Sequence, residues 1–101
     1  MKTQVRQGEV LLIPIQQLPS GLKRKDNILA YGEVTGHNHS FATTEPVSVF
    51  IDSKNVQYVD ASAMVTLVHQ EHAPVEVPRG LYEVRIQRNL DLQGIIRAVR
   101  D

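Results

Sequence analysis

Short apolar runs alternate with turn-forming clusters along most of the chain. The run VLLIPI at 10–15 is almost wholly apolar, as expected of a strand buried on both faces. Pro14 cannot donate a backbone hydrogen bond, so it favours an edge or a strand end. Val, Ile, Thr and Tyr pack well on a pleated sheet and lose side-chain freedom in a helix. This composition predicts further strands at 28–35, 40–44, 47–51, 56–59, 63–69 and 81–88.

Turn residues separate these runs at short intervals, as in the segments at 19–21, 52–55 and 78–80. Helical signals are weak. Only the tail at 90–99 has a pattern that would suit a turn or two of helix, and Gly94 interrupts it at a cost of about 1 kcal/mol relative to Ala. We therefore expect residues 1–101 to form a single all-β domain, a small barrel or sandwich of about 7 to 9 short strands. Its core should include Val10, Leu12, Val34, Val65, Leu67, Val84 and Ile86.

Composition narrows the possible functions. The 11 basic and 11 acidic side chains cancel, so net charge indicates neither nucleic acid nor an anionic membrane as a partner. Because cysteine is absent, any metal ligands have to be His, Asp or Glu. The N-terminus lacks the apolar segment of a secretory signal, and no apolar run reaches the roughly 18 residues that span a membrane. We expect a cytoplasmic protein without membrane contact.

All four histidines fall in two short stretches, GHNH at 36–39 and HQEH at 69–72. In a strand, His37 and His39 project from the same face, about 6.5 to 7 Å apart along the chain. Two imidazoles at that spacing can reach one ion, and a third ligand then has to come from another strand. The second stretch can supply that ligand.

The second stretch leaves two histidines open for this role. His69 ends an apolar alternation and is expected to point inward, whereas a turn before Pro74 could bring His72 back to the same side. Glu71 lies between them and could act as a ligand, as a base, or as a partner that sets an imidazole tautomer. We assign His37, His39 and His72 as candidate metal ligands, with His69 and Glu71 as candidate catalytic residues.

These residues favour a metal-dependent enzyme. Three neutral imidazoles suit a divalent metal, and we expect Zn²⁺, with Fe²⁺ or Mn²⁺ as alternatives. Three such ligands leave one coordination position of the metal open for water. The expected activity is that of a hydrolase or lyase on a small-molecule or nucleotide substrate, in a monomer or homodimer. One alternative is metal-free acid–base phosphodiester transfer on RNA or a nucleotide, with Lys23, Arg24 or Arg79 binding phosphate. Another is a non-catalytic β-barrel module that binds a ligand or partner.

Two motifs resemble those of the cupins. GHNH followed by Glu45 is similar to the first cupin motif, an HxH followed by Glu, and PRGLYE at 78–83 is similar to the second, PxGxxH. The resemblance implies a small β-barrel with His37, His39 and Glu45 as ligands, and with Glu83 where cupins carry a histidine. HQEH at 69–72 has no cupin counterpart.

A second resemblance covers most of the chain. The segments RQGEVLLIPI, YGEVTGHNHS and HQEHAPVEVPRGLYEVRIQR are similar to an uncharacterised family of short bacterial and phage-borne proteins. This resemblance implies one compact unit and brings no activity with it.

Overall fold

The computed structural model describes residues 3–32 and 36–87, and this part of the chain consists of β-strands and their connections without a helix. None of its segments is therefore a helix long and apolar enough to cross a membrane. The tail at 90–99 and Val34 lie outside the described residues. The strands are β1 (Val5–Gln7), β2 (Val10–Ile15), β3 (Lys23–Lys25), β4 (Ile28–Tyr31), β5 (Asn38–Phe41), β6 (Val47–Ile51), β7 (Gln57–Ala61), β8 (Val65–Val68), β9 (Val75–Val77) and β10 (Gly80–Ile86).

The ten strands form two antiparallel sheets. One sheet has six strands in the order β1-β2-β10-β7-β6-β3, and the other has four in the order β4-β5-β8-β9. Within the described residues the ladders therefore give a sandwich of two sheets and do not close into one barrel. The expectation of an all-β barrel or sandwich is confirmed in its sandwich form.

The long strand β2 lies inside the six-stranded sheet, between β1 and β10. Its partner β1 reaches only as far as Leu12, which pairs with Val5, whereas β10 continues to pair opposite Pro14. Among the described residues, the proline therefore lies where β2 has a neighbouring strand on one side only. This explains how an interior strand accommodates a residue that has no amide hydrogen.

The core lies between the two sheets and is formed by alternate residues of facing strands. The predicted core residues are buried at five positions, and a sixth, Ile86, is partly buried and packs against them. The five are Val10, Leu12, Val65, Leu67 and Val84. These strands were recognisable because they are short runs rich in apolar and β-branched residues between turn clusters.

Three strands were not predicted from sequence, namely β1, β3 and β9. Each has three residues, and their sequences VRQ, KRK and VEV carry no run of apolar residues. All three lie at sheet edges, where pairing to a longer neighbour supplies the backbone hydrogen bonds. Such strands depend on tertiary contacts, and local propensity does not reveal them.

Strand β10 begins with a glycine. Gly80 has φ 154°, a conformation in which a side chain is disfavoured. Beyond it, the hydroxyl of the buried Tyr82 donates to the carbonyl oxygen of Pro78 at 2.6 Å. Burial raises the pKa of Tyr82, so its hydroxyl stays protonated and remains a donor.

Leu67→Ala tests the face assignment in β8. The Leu67 side chain is fully buried, so we expect its truncation to lower the free energy of unfolding by about 2 to 5 kcal/mol. The neighbouring Val68 points outward and is 40% exposed, so Val68→Ala should cost about 1 kcal/mol or less. Urea unfolding followed by circular dichroism measures both. Equal costs would show that the face assignment is wrong.

Candidate metal centre

Pairing between β5 and β8 brings two histidines together. The register places Ser40 opposite Val68 and Phe41 opposite Leu67, so its continuation by one residue places His39 opposite His69. His39 and Phe41 are both buried, as expected for alternate residues on the inward face of β5. His69 follows directly after β8 and is 7% exposed. The site therefore begins as one cross-strand pair of buried imidazoles.

The other two histidines lie beside this pair. Ring centroids are 4.3 Å apart for His39 and His69, and 4.7 Å apart for His69 and His72. His72 also stacks near His39, with centroids 5.6 Å apart, and His37 meets His69 edge-on at 5.8 Å. These distances confirm that the two histidine stretches meet in the folded chain.

Three of the four histidines form a group that could hold a metal ion. One ring nitrogen from each of His39, His69 and His72 lies within 4.8 Å of the others. Two nitrogens on a tetrahedral zinc with bonds of about 2.0 to 2.1 Å are about 3.4 Å apart, so the rings need only a small inward shift. Neutral imidazoles are good ligands for Zn²⁺ and other divalent transition metals, so the donor set fits such an ion.

His37 and Glu71 lie at the exposed side of this group. His37 Nδ1 is 3.7 Å from Glu71 Oε2, and the Glu71 side chain is 56% exposed. The sequence pattern predicts His37 as a ligand and His69 as a catalytic group, whereas the geometry groups His69 with His39 and His72. The reason is local, because β5 begins at Asn38 and His37 lies just outside the strand whose alternation was assumed.

A glycine allows the backbone to pack against the imidazoles. Gly8, in the turn between β1 and β2, has φ 56°. A Cβ at this position would lie 2.7 Å from His72 Nε2, closer than real Cβ contacts, and 3.2 Å from His39 Cε1, tighter than most of them. The His72 Nε2 atom is buried, and no hydrogen-bond partner for it occurs among the described residues. The space beside Gly8 therefore belongs to the histidine cluster.

In each of the two buried histidines, His39 and His69, the Nδ1 atom has a hydrogen-bond partner. His39 Nδ1 is 2.9 Å from Gln7 Oε1, and the backbone N–H of Glu71 donates to His69 Nδ1 at 3.0 Å. Gln7 is 2% exposed, and so is Glu9 on the other side of Gly8. The sequence pattern did not identify Gln7, Gly8 and Glu9 as neighbours of the histidines. Their only distinguishing feature in the sequence is the short polar stretch RQGE next to an apolar strand.

Of the ligands implied by the cupin resemblance, His39 belongs to this cluster, whereas the two carboxylates do not. Glu45 Oε1 accepts a hydrogen bond from the backbone N–H of Thr66 at 2.9 Å. Glu83 Oε2 accepts from Arg85 Nε at 3.0 Å. Because Tyr82 and Val84 point into the core, Glu83 projects from the opposite face of β10. The cupin-like carboxylates therefore have structural contacts elsewhere in the sandwich.

Comparison with known families gives one match. A family model described as "Domain of unknown function (DUF8820)" matches residues 6–87, which include the β1–β2 turn and all four histidines. The chain belongs to the DUF8820 family. The membership confirms that the chain is part of an uncharacterised family, whereas the phage-borne origin suggested by the resemblance stays a prediction. No curated protein and no solved structure matches the chain significantly.

Gly8→Ala tests the contact between the β1–β2 turn and the histidines, with Gly21→Ala as a matched control. Both glycines have positive φ, so each substitution should cost about 1 to 2 kcal/mol of stability through backbone strain. No atom lies within 4 Å of a Cβ at Gly21, whereas one at Gly8 meets His72.

We therefore expect Gly8→Ala to cost at least about 1 kcal/mol more than Gly21→Ala in urea unfolding. It should also shift the ring proton NMR signals of His72, which Gly21→Ala should leave in place. Equal losses of stability in the two variants, with unchanged His72 signals in Gly8→Ala, would show that the β1–β2 turn does not pack against the histidines.

Proposed function

We propose that this chain binds one divalent metal ion through His39, His69 and His72, and that Zn²⁺ is the preferred ion. We further propose that it uses the ion in a hydrolase or lyase reaction on a small-molecule or nucleotide substrate in the cytoplasm. The observation that supports the proposal is the grouping of three imidazole nitrogens within 4.8 Å of one another. Fe²⁺ and Mn²⁺ are the alternative ions, since imidazole suits several divalent metals.

The buried side of the cluster holds the ligands in place. His39 lies on the core face of β5 and contacts Gln7, and the Gly8 backbone packs beside His72. Packing on this side excludes water and limits the rotation of the imidazole rings. When bound, such a metal lowers the pKa of a coordinated water and makes it a nucleophile near neutral pH.

The exposed side of the cluster is where a substrate and a proton acceptor can approach. The Glu71 side chain lies there, and its Oε2 is 3.7 Å from the buried Nδ1 of His37, which also contacts His69. A carboxylate in this position is placed to accept a proton, and His37 is placed to orient it. We assign Glu71 as the general base of the proposed reaction. His69, first expected to be catalytic, is assigned as a metal ligand instead.

One observation favours a second candidate, metal-free acid–base catalysis. The Glu71 N–H donates to His69 Nδ1, so a neutral His69 carries its proton on Nε2. Its neighbour His39 faces an acceptor with Nδ1 and so carries its proton there. Opposite tautomers on adjacent rings are also an arrangement in which one ring could donate a proton and the other accept it.

The phosphate-binding part of this second candidate has less support. Lys23 pairs opposite Ile51 on the edge strand β3, and Arg24 lies over the Phe50 ring. Arg79 lines a cleft of about 360 Å³ together with Ile15 and other residues at the ends of β2, β7 and β10. These contacts belong to the six-stranded sheet and its connections, whereas the histidines lie on and after strands of the other sheet. A binding module without turnover is the third candidate, and activity measurements on the metal-loaded protein separate it from an enzyme.

Zinc titration of single-histidine variants tests the ligand assignment. We expect isothermal titration calorimetry to show one Zn²⁺ per chain, and alanine at His39, His69 or His72 to abolish tight binding. His37→Ala is the matched control, because His37 contacts the cluster but lies outside the ligand group. The His37→Ala variant should retain Zn²⁺ binding. It should lose activity, because His37 orients Glu71, the proposed general base.

The same titration has a pH dependence of known sign. Protonated imidazole has no lone pair for a metal, so affinity should fall as the pH is lowered from about 7.5 to about 5.5. Loss of zinc binding in His37→Ala together with its retention in His69→Ala would favour the ligand set first expected from the sequence. An absence of binding to the wild type at any pH would refute the metal centre itself.

The Glu71 amide should report metal binding directly. If zinc binds His69 through Nδ1, it displaces the Glu71 N–H; if it binds through Nε2, the ring proton moves to Nδ1, which then no longer accepts. In both cases this hydrogen bond breaks, so zinc should move the Glu71 amide signal in a ¹H–¹⁵N spectrum and speed its hydrogen exchange. The Thr66 amide, bonded to Glu45 Oε1, is the control and should be unaffected. An unmoved Glu71 signal at saturating zinc would exclude His69 as a ligand.

A further inference from the structure

Gln7 is a buried polar residue directly beside the histidine cluster. It is the last residue of β1, pairs with Val10 across the turn, and is 2% exposed. A primary amide in such a place needs partners for both its oxygen and its nitrogen, because burying them unpaired would cost several kcal/mol. The identity of those partners determines which way the amide faces.

Two carbonyl oxygens set the orientation of the Gln7 amide. Its Nε2 donates to Leu67 O at 2.9 Å and to Ala73 O at 3.0 Å. A flipped amide would place Oε1 against both carbonyls, where three acceptors would meet without a hydrogen. The hydrogen-bond pattern therefore leaves one orientation, with Oε1 facing His39 Nδ1 at 2.9 Å.

This orientation selects the tautomer of His39. An amide oxygen only accepts, so the hydrogen between Gln7 and His39 has to lie on Nδ1 of the imidazole. A neutral imidazole has one N–H, and Nε2 of His39 then carries the lone pair. A lone pair at Nε2 is what a metal ligand requires, and hydrogen bonding at the other nitrogen also holds the ring in orientation.

The nitrogen end of the same amide holds the segment that carries the other two ligands. Leu67 lies two residues before His69, and Ala73 directly follows His72. By donating to both carbonyls, one side chain ties together the chain entering and the chain leaving this segment. Gln7 therefore contacts His39 directly and constrains His69 and His72 through the backbone on either side of them.

We infer that Gln7 is the positioning residue of the three-histidine centre: its oxygen sets His39 to present Nε2, and its nitrogen holds the 67–73 segment that places His69 and His72. The inference rests on the proposed metal site for its consequence but concerns residues that can be observed without metal. Gln7 does not touch the metal or substrate in this assignment and acts only through the histidines.

The first measurement uses the wild-type protein without metal. Long-range ¹H–¹⁵N correlation spectra of the imidazoles at neutral pH identify which ring nitrogen carries the proton. We expect His39 in the Nδ1–H form. Observation of the Nε2–H form, or of rapid exchange between the two forms, would overturn the assignment whether or not the protein binds zinc.

The second measurement compares Gln7→Met with a matched variant, Gln57→Met. Gln57, on β7, is half-buried and, like Gln7, donates its side-chain amide to a backbone carbonyl, that of Leu29 at 2.7 Å. Both changes keep side-chain length and remove an amide. Removing a partner that orients a ligand should weaken Zn²⁺ binding about 10- to 100-fold in Gln7→Met, with loss of the pure Nδ1–H form of His39. Gln57→Met should keep the wild-type affinity and tautomer.

The outcomes separate this inference from the metal proposal. Wild-type zinc binding that is equally tight in Gln7→Met and Gln57→Met would overturn the positioning role and leave the metal site standing. No zinc binding by the wild type would refute the metal site, and the tautomer spectra of wild type and Gln7→Met would then decide alone whether Gln7 sets His39. If Gln7→Met does not fold, the wild-type spectrum remains the deciding test.

Discussion

The antiparallel pairing of β5 with β8 determines the core and the candidate site together. The register that sets Phe41 opposite Leu67 buries both side chains, and its continuation places His39 opposite His69. A slip of one residue would turn Phe41 and His39 to the other face of the sheet, exposing an aromatic ring and dispersing the cluster. The apolar contacts of the core thus specify the geometry of a polar site that contributes little apolar burial itself.

Burying imidazoles in a small domain has a cost that neighbouring polar groups offset. His39 is fully buried and His69 nearly so, and each has a hydrogen-bond partner at Nδ1. Gln7 contributes three such bonds, to one imidazole and two carbonyls, from the short edge strand β1. A buried polar network of this kind would be an inefficient way to stabilise about one hundred residues, since apolar side chains could fill the same space. Its presence supports a functional use of the cluster.

The two sides of the cluster differ in a way that suits catalysis. Gly8 and Gln7 close the inner side with backbone and a well-anchored amide, whereas His37 and Glu71 lie on the outer side, where Glu71 is largely exposed. Ligands held rigidly from behind and a carboxylate open to solvent are what a water-activating site needs. The same arrangement would also serve a metal-free acid–base pair, and zinc titration distinguishes the two.

The sequence by itself determined the all-β class, most long strands and the meeting of the two histidine stretches. Apolar alternation is local information, and the restriction of every histidine to 36–39 and 69–72 pointed to one site. Only the tertiary structure decided that His69 joins His39 and His72, because the β5–β8 register sets His39 opposite His69 while His37 lies outside β5. Only it could reveal Gln7, whose partners lie 32 to 66 residues away in sequence. Contacts between distant segments leave no local pattern, and a glutamine before a glycine looks the same on a solvated turn as it does beneath an imidazole.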